Sequence, residues 1–250
     1  MRPRELSPEQ LDHLAATDPL ALQSRRDLVR VHRAMRTASI VSRGWRALMP
    51  ARRVASPLRL LELGAGDGTL LLGVARQLEA AWPAVDLTLL DRQALVSPET
   101  IAAYAALGWT ARAEVADVHD WAAASSASSS SFARSHGHAA PWDLVSTSLF
   151  LHHFQGPQLH ALLAAIACSS QRFFACEPHR GWLALAGSHL VGALGANAVT
   201  RHDAVASVRA GFCGGEISAH WPRPTTWQCH EARAGLFSQT FSARSLVQAR

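Results

Sequence analysis

Three observations predict an α/β fold built on a doubly wound, mostly parallel sheet. Short apolar runs recur along the chain, residues at helical spacing separate them, and several runs end in an acid beside a turn. Five such runs precede two strands joined by a tight connection, so the sheet should hold seven strands and close with an antiparallel C-terminal hairpin. At 250 residues and 48% hydrophobic content the chain can bury a substantial core, and one compact unit accounts for its length.

Residues 1–50 read as a helical extension and 51–250 as the main domain. Ser7-Pro8-Glu9-Gln10 offers an N-cap, a proline at the first helical position and a capping-box glutamine, and Asp18-Pro19 offers a second start. Leu28, Val31, Met35, Ile40 and Val41 give an apolar stripe suited to pack on the sheet or over a ligand.

Leu58 to Leu63 has the unbroken apolar character of a central parallel strand, and Leu70, Leu71, Val74 and Leu78 follow at helical spacing. Between them runs Gly64-Ala65-Gly66-Asp67-Gly68-Thr69. Glycines tolerate positive φ and let a ligand lie on bare backbone, and the helix start behind them offers free N–H groups. A dinucleotide fingerprint would carry its third glycine where Thr69 stands, so the turn is a cofactor cradle of another kind or a structural turn.

Val85 to Leu90 predicts a second strand ending at Asp91, placed to accept hydrogen bonds from a ribose or to cap a turn. Thr110 to Ala116 predicts a third, ending at Asp117-Val118. Trp142 to Phe154 supplies the fourth strand and the loop after it, on the side of the sheet where such folds bind ligands. Arg172 to Cys176, followed by Glu177-Pro178-His179, is the fifth. Trp182 to Val199 approaches membrane-spanning length, but Ser188, His189, Asn197 and three glycines interrupt it, so it reads as one crossover helix. Trp227 to Arg233 and Phe237 to Arg244 form the closing hairpin. Ala122 to Ala140, rich in serine, has the low complexity of a flexible surface insertion.

The run Glu62-Leu63-Gly64-Ala65-Gly66-Asp67-Gly68 resembles the first motif of the class I S-adenosylmethionine-dependent methyltransferases. Asp143-Leu144-Val145 leading to Leu151-His152-His153 resembles that family's signature after the fourth strand. The likeness covers roughly residues 58 to 180. It implies S-adenosylmethionine as cofactor, held by Glu62, Gly64, Ala65, Gly66, Gly68, Asp91, Arg92, Asp117, Val118 and Thr147, with Asp117 meeting the adenine amino group. It places His152 and His153 on the acceptor side, where one could take a proton, since a histidine's ordinary pKa suits that work. Capping or packing is their plainer role.

Asn197 to Phe212 resembles a segment of bacterial small-molecule methyltransferases, which implies that Arg201, His202 and Arg209, with Glu177, face the acceptor. The N-terminal helices would then act as a lid. The acceptor implied is a small aromatic or polyketide/lipid-like metabolite, with oxygen ahead of carbon as the methylated atom. Relatives that hold a divalent metal carry Glu-x-x-Glu-His in this loop. Here the matching positions are Leu149, His152 and His153, so no metal is expected.

Composition excludes other chemistry. All 24 basic residues are arginine, so Schiff-base chemistry and a lysine base are ruled out. The net charge of +5 raises nucleic-acid or protein methylation as an alternative, but the arginines are scattered and no Asn/Asp-Pro-Pro-aromatic motif follows the fourth strand. A nicotinamide oxidoreductase and a non-catalytic binding protein are the remaining rivals. Four cysteines without Cys-x-x-Cys spacing indicate free thiols, and the absence of an apolar signal core predicts a cytoplasmic protein.

Overall fold

The computed structural model describes residues 3–49, 56–78, 82–128, 142–222 and 224–246. Seven strands form one sheet in the order β3-β2-β1-β4-β5-β7-β6. They are β1 (Leu58–Leu63), β2 (Val85–Asp91), β3 (Trp109–Val115), β4 (Leu144–Ser148), β5 (Arg172–Pro178), β6 (Trp227–Ala234) and β7 (Ser238–Ser245). β1 to β5 are parallel, while β7 runs antiparallel to both β5 and β6. The chain leaves β1 toward β2 and β3 and returns to lay β4 on the other side of β1. That reversal is the point at which open α/β sheets bind ligands.

The central strands are apolar on both faces because helices cover both. On one side α2 (Thr37–Leu48) and α3 (Thr69–Leu78) pack Val41, Trp45, Leu71 and Leu78 onto Leu60, Leu87 and Phe174. On the other side α6 (Gly156–Ser169) and α9 (Glu216–His220) press Leu163, Ile166 and Ile217 onto Val145, Phe173 and Phe241. Phe173 and Phe174 therefore point into opposite layers, as successive strand residues must. α1 (Pro19–Met35), capped by Asp18 through a 2.7 Å bond from the Leu20 N–H, lies over the carboxyl end of the sheet beside α8 (Ala198–Ala210).

Several expectations need correction. Ser7 to Gln10 starts no α-helix; the segment has no regular secondary structure before one 3-10 turn at Leu11–His13. The physical reason is tertiary: the Asp203 carboxylate accepts the Gln10 and Leu11 N–H groups at 2.8 and 2.9 Å, which substitutes for a cap. The stretch from Trp182 to Val199 is not one helix but α7 (Trp182–His189), a 3-10 turn (Val191–Leu194) and the start of α8, separated at Gly195 with φ +77°. The serine-rich segment is helical at its start, since α5 (Val118–Ser128) enters it, and 129–140 lie outside the described residues. α4 (Pro98–Ala105), capped by Ser97, was not foreseen.

Candidate active site

The turn after β1 carries φ of +71° at Gly64, +56° at Gly66 and +76° at Gly68. A Cβ on Gly64 would fall 2.2 Å from the Phe150 ring, so only glycine lets the β1 and β4 loops meet; a Cβ on Gly66 would point into open space. Asp91, at the end of β2, accepts the Gly66 N–H through Oδ2 at 2.9 Å and the Gln93 N–H through Oδ1 at 3.0 Å. Asp117, past the end of β3, caps α5 by accepting the His119 N–H at 2.7 Å.

These groups open into one cavity of about 800 Å³. Glu62, Gly64, Ala65, Gly66, Asp91, Arg92, Asp117, Val118, His152 and His153 all line it. Gly68 and Thr147 do not. Gly68 packs against Leu89 and Thr100 and offers its carbonyl to Tyr104, while Thr147 is wholly buried inside β4. The roof is α1, through residues such as Leu28, Val31, His32 and Met35, and the far wall is the turn after α7 together with α8. Burial holds His32 down at about 4, against a weaker upward pull from Asp67, so it is neutral at pH 7.

Glu62 is nearly fully buried, and its Oε2 has no hydrogen-bond partner. Burial pushes this carboxyl up to about 7, against the lowering effect of Ser146 and Ser148. A buried acid facing a cavity with an open lone pair is suited to a cationic ligand group.

The loop after β4 is organised by Glu177. Its Oε1 accepts the Phe150 and Leu151 N–H groups at 3.1 and 2.9 Å, and Oε2 accepts the His152 N–H at 3.3 Å. Oε2 also lies 2.9 Å from His152 Nδ1, and Glu9 Oε1 lies 3.1 Å from His152 Nε2. Burial works against a charge on His152, but hydrogen bonds to both carboxylates outweigh it and hold the imidazolium up at about 9. Burial likewise opposes the charge on Glu9, and His152 overcomes it, drawing Glu9 down to about 2. His153 sits at 4.3 Å ring distance and is lowered by burial and by the neighbouring His152 charge, and its Nδ1 lies 3.6 Å from Asp12 Oδ2. Glu9, His152 and His153 bring ligand-type atoms within 4.8 Å of one another. Glu9 thus adds a carboxylate that the loop sequence lacks.

The other acceptor-side expectations are corrected. Glu177 is wholly buried and does not line the cavity; it positions the loop and His152. Arg201, His202 and Arg209 are exposed on the outer face of α8, while Thr200, Asp203, Ala204, Ser207 and Val208 face the cavity. Charge density marked the right helix but not its face. Glu9, Asp12, Asp203 and Ser207 were missed. For the α8 pair the available signal was spacing, since Thr200, Asp203 and Ser207 fall on one stripe, three and four residues apart.

No family model matches the sequence, and no curated protein matches it significantly. Solved structures do. The plantazolicin methyltransferase BpumL, in complex with a monoazolic desmethylPZN analog and SAH, is 14% identical with a TM-score of 0.60, over 92% of this chain and 91% of that one. An O-methyltransferase family protein from Burkholderia thailandensis is 14% identical with a TM-score of 0.59, over 92% of this chain and 61% of that one. The chain has the class I methyltransferase fold. In this methyltransferase fold the glycine turn, Asp91 and Asp117 come from three successive strand ends, and the histidine loop faces them across the β1–β4 switch point.

Proposed function

We propose that the chain transfers a methyl group from S-adenosylmethionine to a small, apolar, aromatic or polyketide/lipid-like metabolite, at oxygen. One observation carries the reading: the glycine turn, Glu62, Asp91, Asp117 and Val118 all line a single cavity that continues past His152 and His153 beneath an apolar roof. Its volume lies in the upper part of the range for ligand pockets, which suits two small molecules held side by side.

The residues present fit the cofactor. Asp91 suits the ribose hydroxyls, Asp117 the adenine amino group, Val118 the ring face, and the open Oε2 of Glu62 a cationic end. Bound there, S-adenosylmethionine would supply an activated methyl on a sulfonium. What the chain adds is alignment, dryness and proton management. Of the two histidines, His152 has both ring nitrogens engaged by carboxylates and is charged at neutral pH, so it is the poorer base. His153 is the better one, because it is neutral at pH 7 and borders the cavity. α1 and the segment before it serve as the lid.

The apolar roof of the chamber, through Leu28, Val31 and Met35, disfavours nucleic acid as the acceptor, whatever the charge outside it. No described helix is long and apolar enough to cross a membrane. The direct test is product formation with labelled methyl donor and a panel of phenolic and long-chain acceptors. The reading fails if SAH neither binds nor protects the protein.

A further inference from the structure

Nine large apolar side chains are exposed among the described residues, and three of them also line the cavity: Val29 at 37%, Leu190 at 67% and Leu194 at 46% exposure. They come from two elements that touch, α1 and the 3-10 turn at Val191–Leu194. An apolar mouth on an apolar chamber leaves unburied surface that a protein in water normally hides.

The surround is cationic. α1 carries Arg25, Arg26, Arg30 and Arg33 against two acids, Asp18 at its cap and Asp27, which is buried and paired with Arg30. On the exposed face of α1, Leu22, Arg26, Val29, Arg30 and Arg33 follow each other at helical spacing, so leucine and valine alternate with arginine on one stripe. Arg30 reaches the Gly195 carbonyl beyond the turn at 3.3 Å, and the Arg201 stem lies against Gly192. Apolar side chains at the centre and arginines around them match the two layers of an anionic lipid surface, acyl boundary and headgroup. Arginine stems can cross the first while their guanidinium groups stay in the second.

We propose that this face docks on an anionic bilayer and that an amphiphilic acceptor enters the cavity from that surface between α1 and the 191–194 turn. This rests on reading the cavity as an acceptor chamber, but the docking itself is measurable without catalysis. The full chain is sedimented with phosphatidylcholine vesicles, with and without about one third phosphatidylglycerol. The expected result is binding to the anionic vesicles, weakening with salt, and none to the neutral ones. Arg26→Gln/Arg33→Gln should weaken partition about thirtyfold, from roughly 1 kcal/mol per arginine, while SAH affinity and melting temperature stay unchanged. Leu190→Ser/Leu194→Ser should weaken it about tenfold or more.

The proposal is overturned if the native chain stays in the supernatant with anionic vesicles, or if it binds and both double variants bind equally. Binding to polyglutamate but not to vesicles would also overturn it, assigning the face to an acidic protein. Loss of SAH binding in the native chain would instead strike the methyltransferase reading.

Discussion

The chemistry proposed rests on a few side chains whose roles separate cleanly in experiment. Asp91→Ala should weaken SAH affinity about tenfold or more by calorimetry, because two charge-assisted bonds to a ribose are lost. An unchanged affinity would take Asp91 out of the site. Glu62, held up at about 7, is largely protonated near pH 6, and a cation arriving at its open oxygen would ionise it. SAH binding at pH 6 should therefore release protons, read as a dependence of the binding enthalpy on buffer ionisation heat, and Glu62→Gln should abolish that dependence. His153→Ala should lower turnover at least a hundredfold for a phenolic acceptor while leaving SAH affinity alone. A native rate in this variant would leave positioning as the whole mechanism.

At the scale of elements, the segment before α1 binds the site by polar contacts. Glu9 meets His152 and Ser207, Asp12 meets Arg92, the Gln10 and Leu11 N–H groups meet Asp203, and Arg4 reaches the His152 and Phe154 carbonyls at 3.2 and 3.1 Å. The pH dependence follows from His152, whose folded pKa of about 9 exceeds the ordinary value of 6.5. Its stabilisation is complete below pH 6.5 and is lost as pH rises through 9, by roughly 3 kcal/mol. The melting temperature should fall across that window, and the fall should shrink in Glu9→Gln. Gly64→Ala should cost about 2 kcal/mol or more, since both its φ and the Phe150 ring oppose a Cβ.

The strands, the glycine turn and the acids at strand ends were legible because local patterning specifies them. The path of residues 3–13 was not, because a carboxylate 192 residues away takes the N–H groups that a capping box would have used. The face of α8 was misread for a related reason: Arg201 and Arg209 advertise charge, whereas Asp203 and Ser207 make the contacts.

For the whole molecule, the reversal between β1 and β4 gathers the residues of three strand ends, one loop and two helices around one chamber. A ligand that fills it binds only the folded state, so SAH at a hundred times its dissociation constant should raise the melting temperature by about 5–10 °C. NADH at the same concentration should not. The reverse result would favour an oxidoreductase.

None of residues 3–18 joins the hydrophobic core, yet the partly buried Glu9 and Asp12 complete the electrostatics around the paired histidines. The edge of the chamber that these residues cover is therefore closed by a ribbon of hydrogen bonds and ion pairs, while the apolar side chains of α1 close the roof. Concentrated salt should loosen that ribbon well before it touches the hydrophobic layers, and proteolytic nicking near Ala15 should report how often the doorway stands ajar.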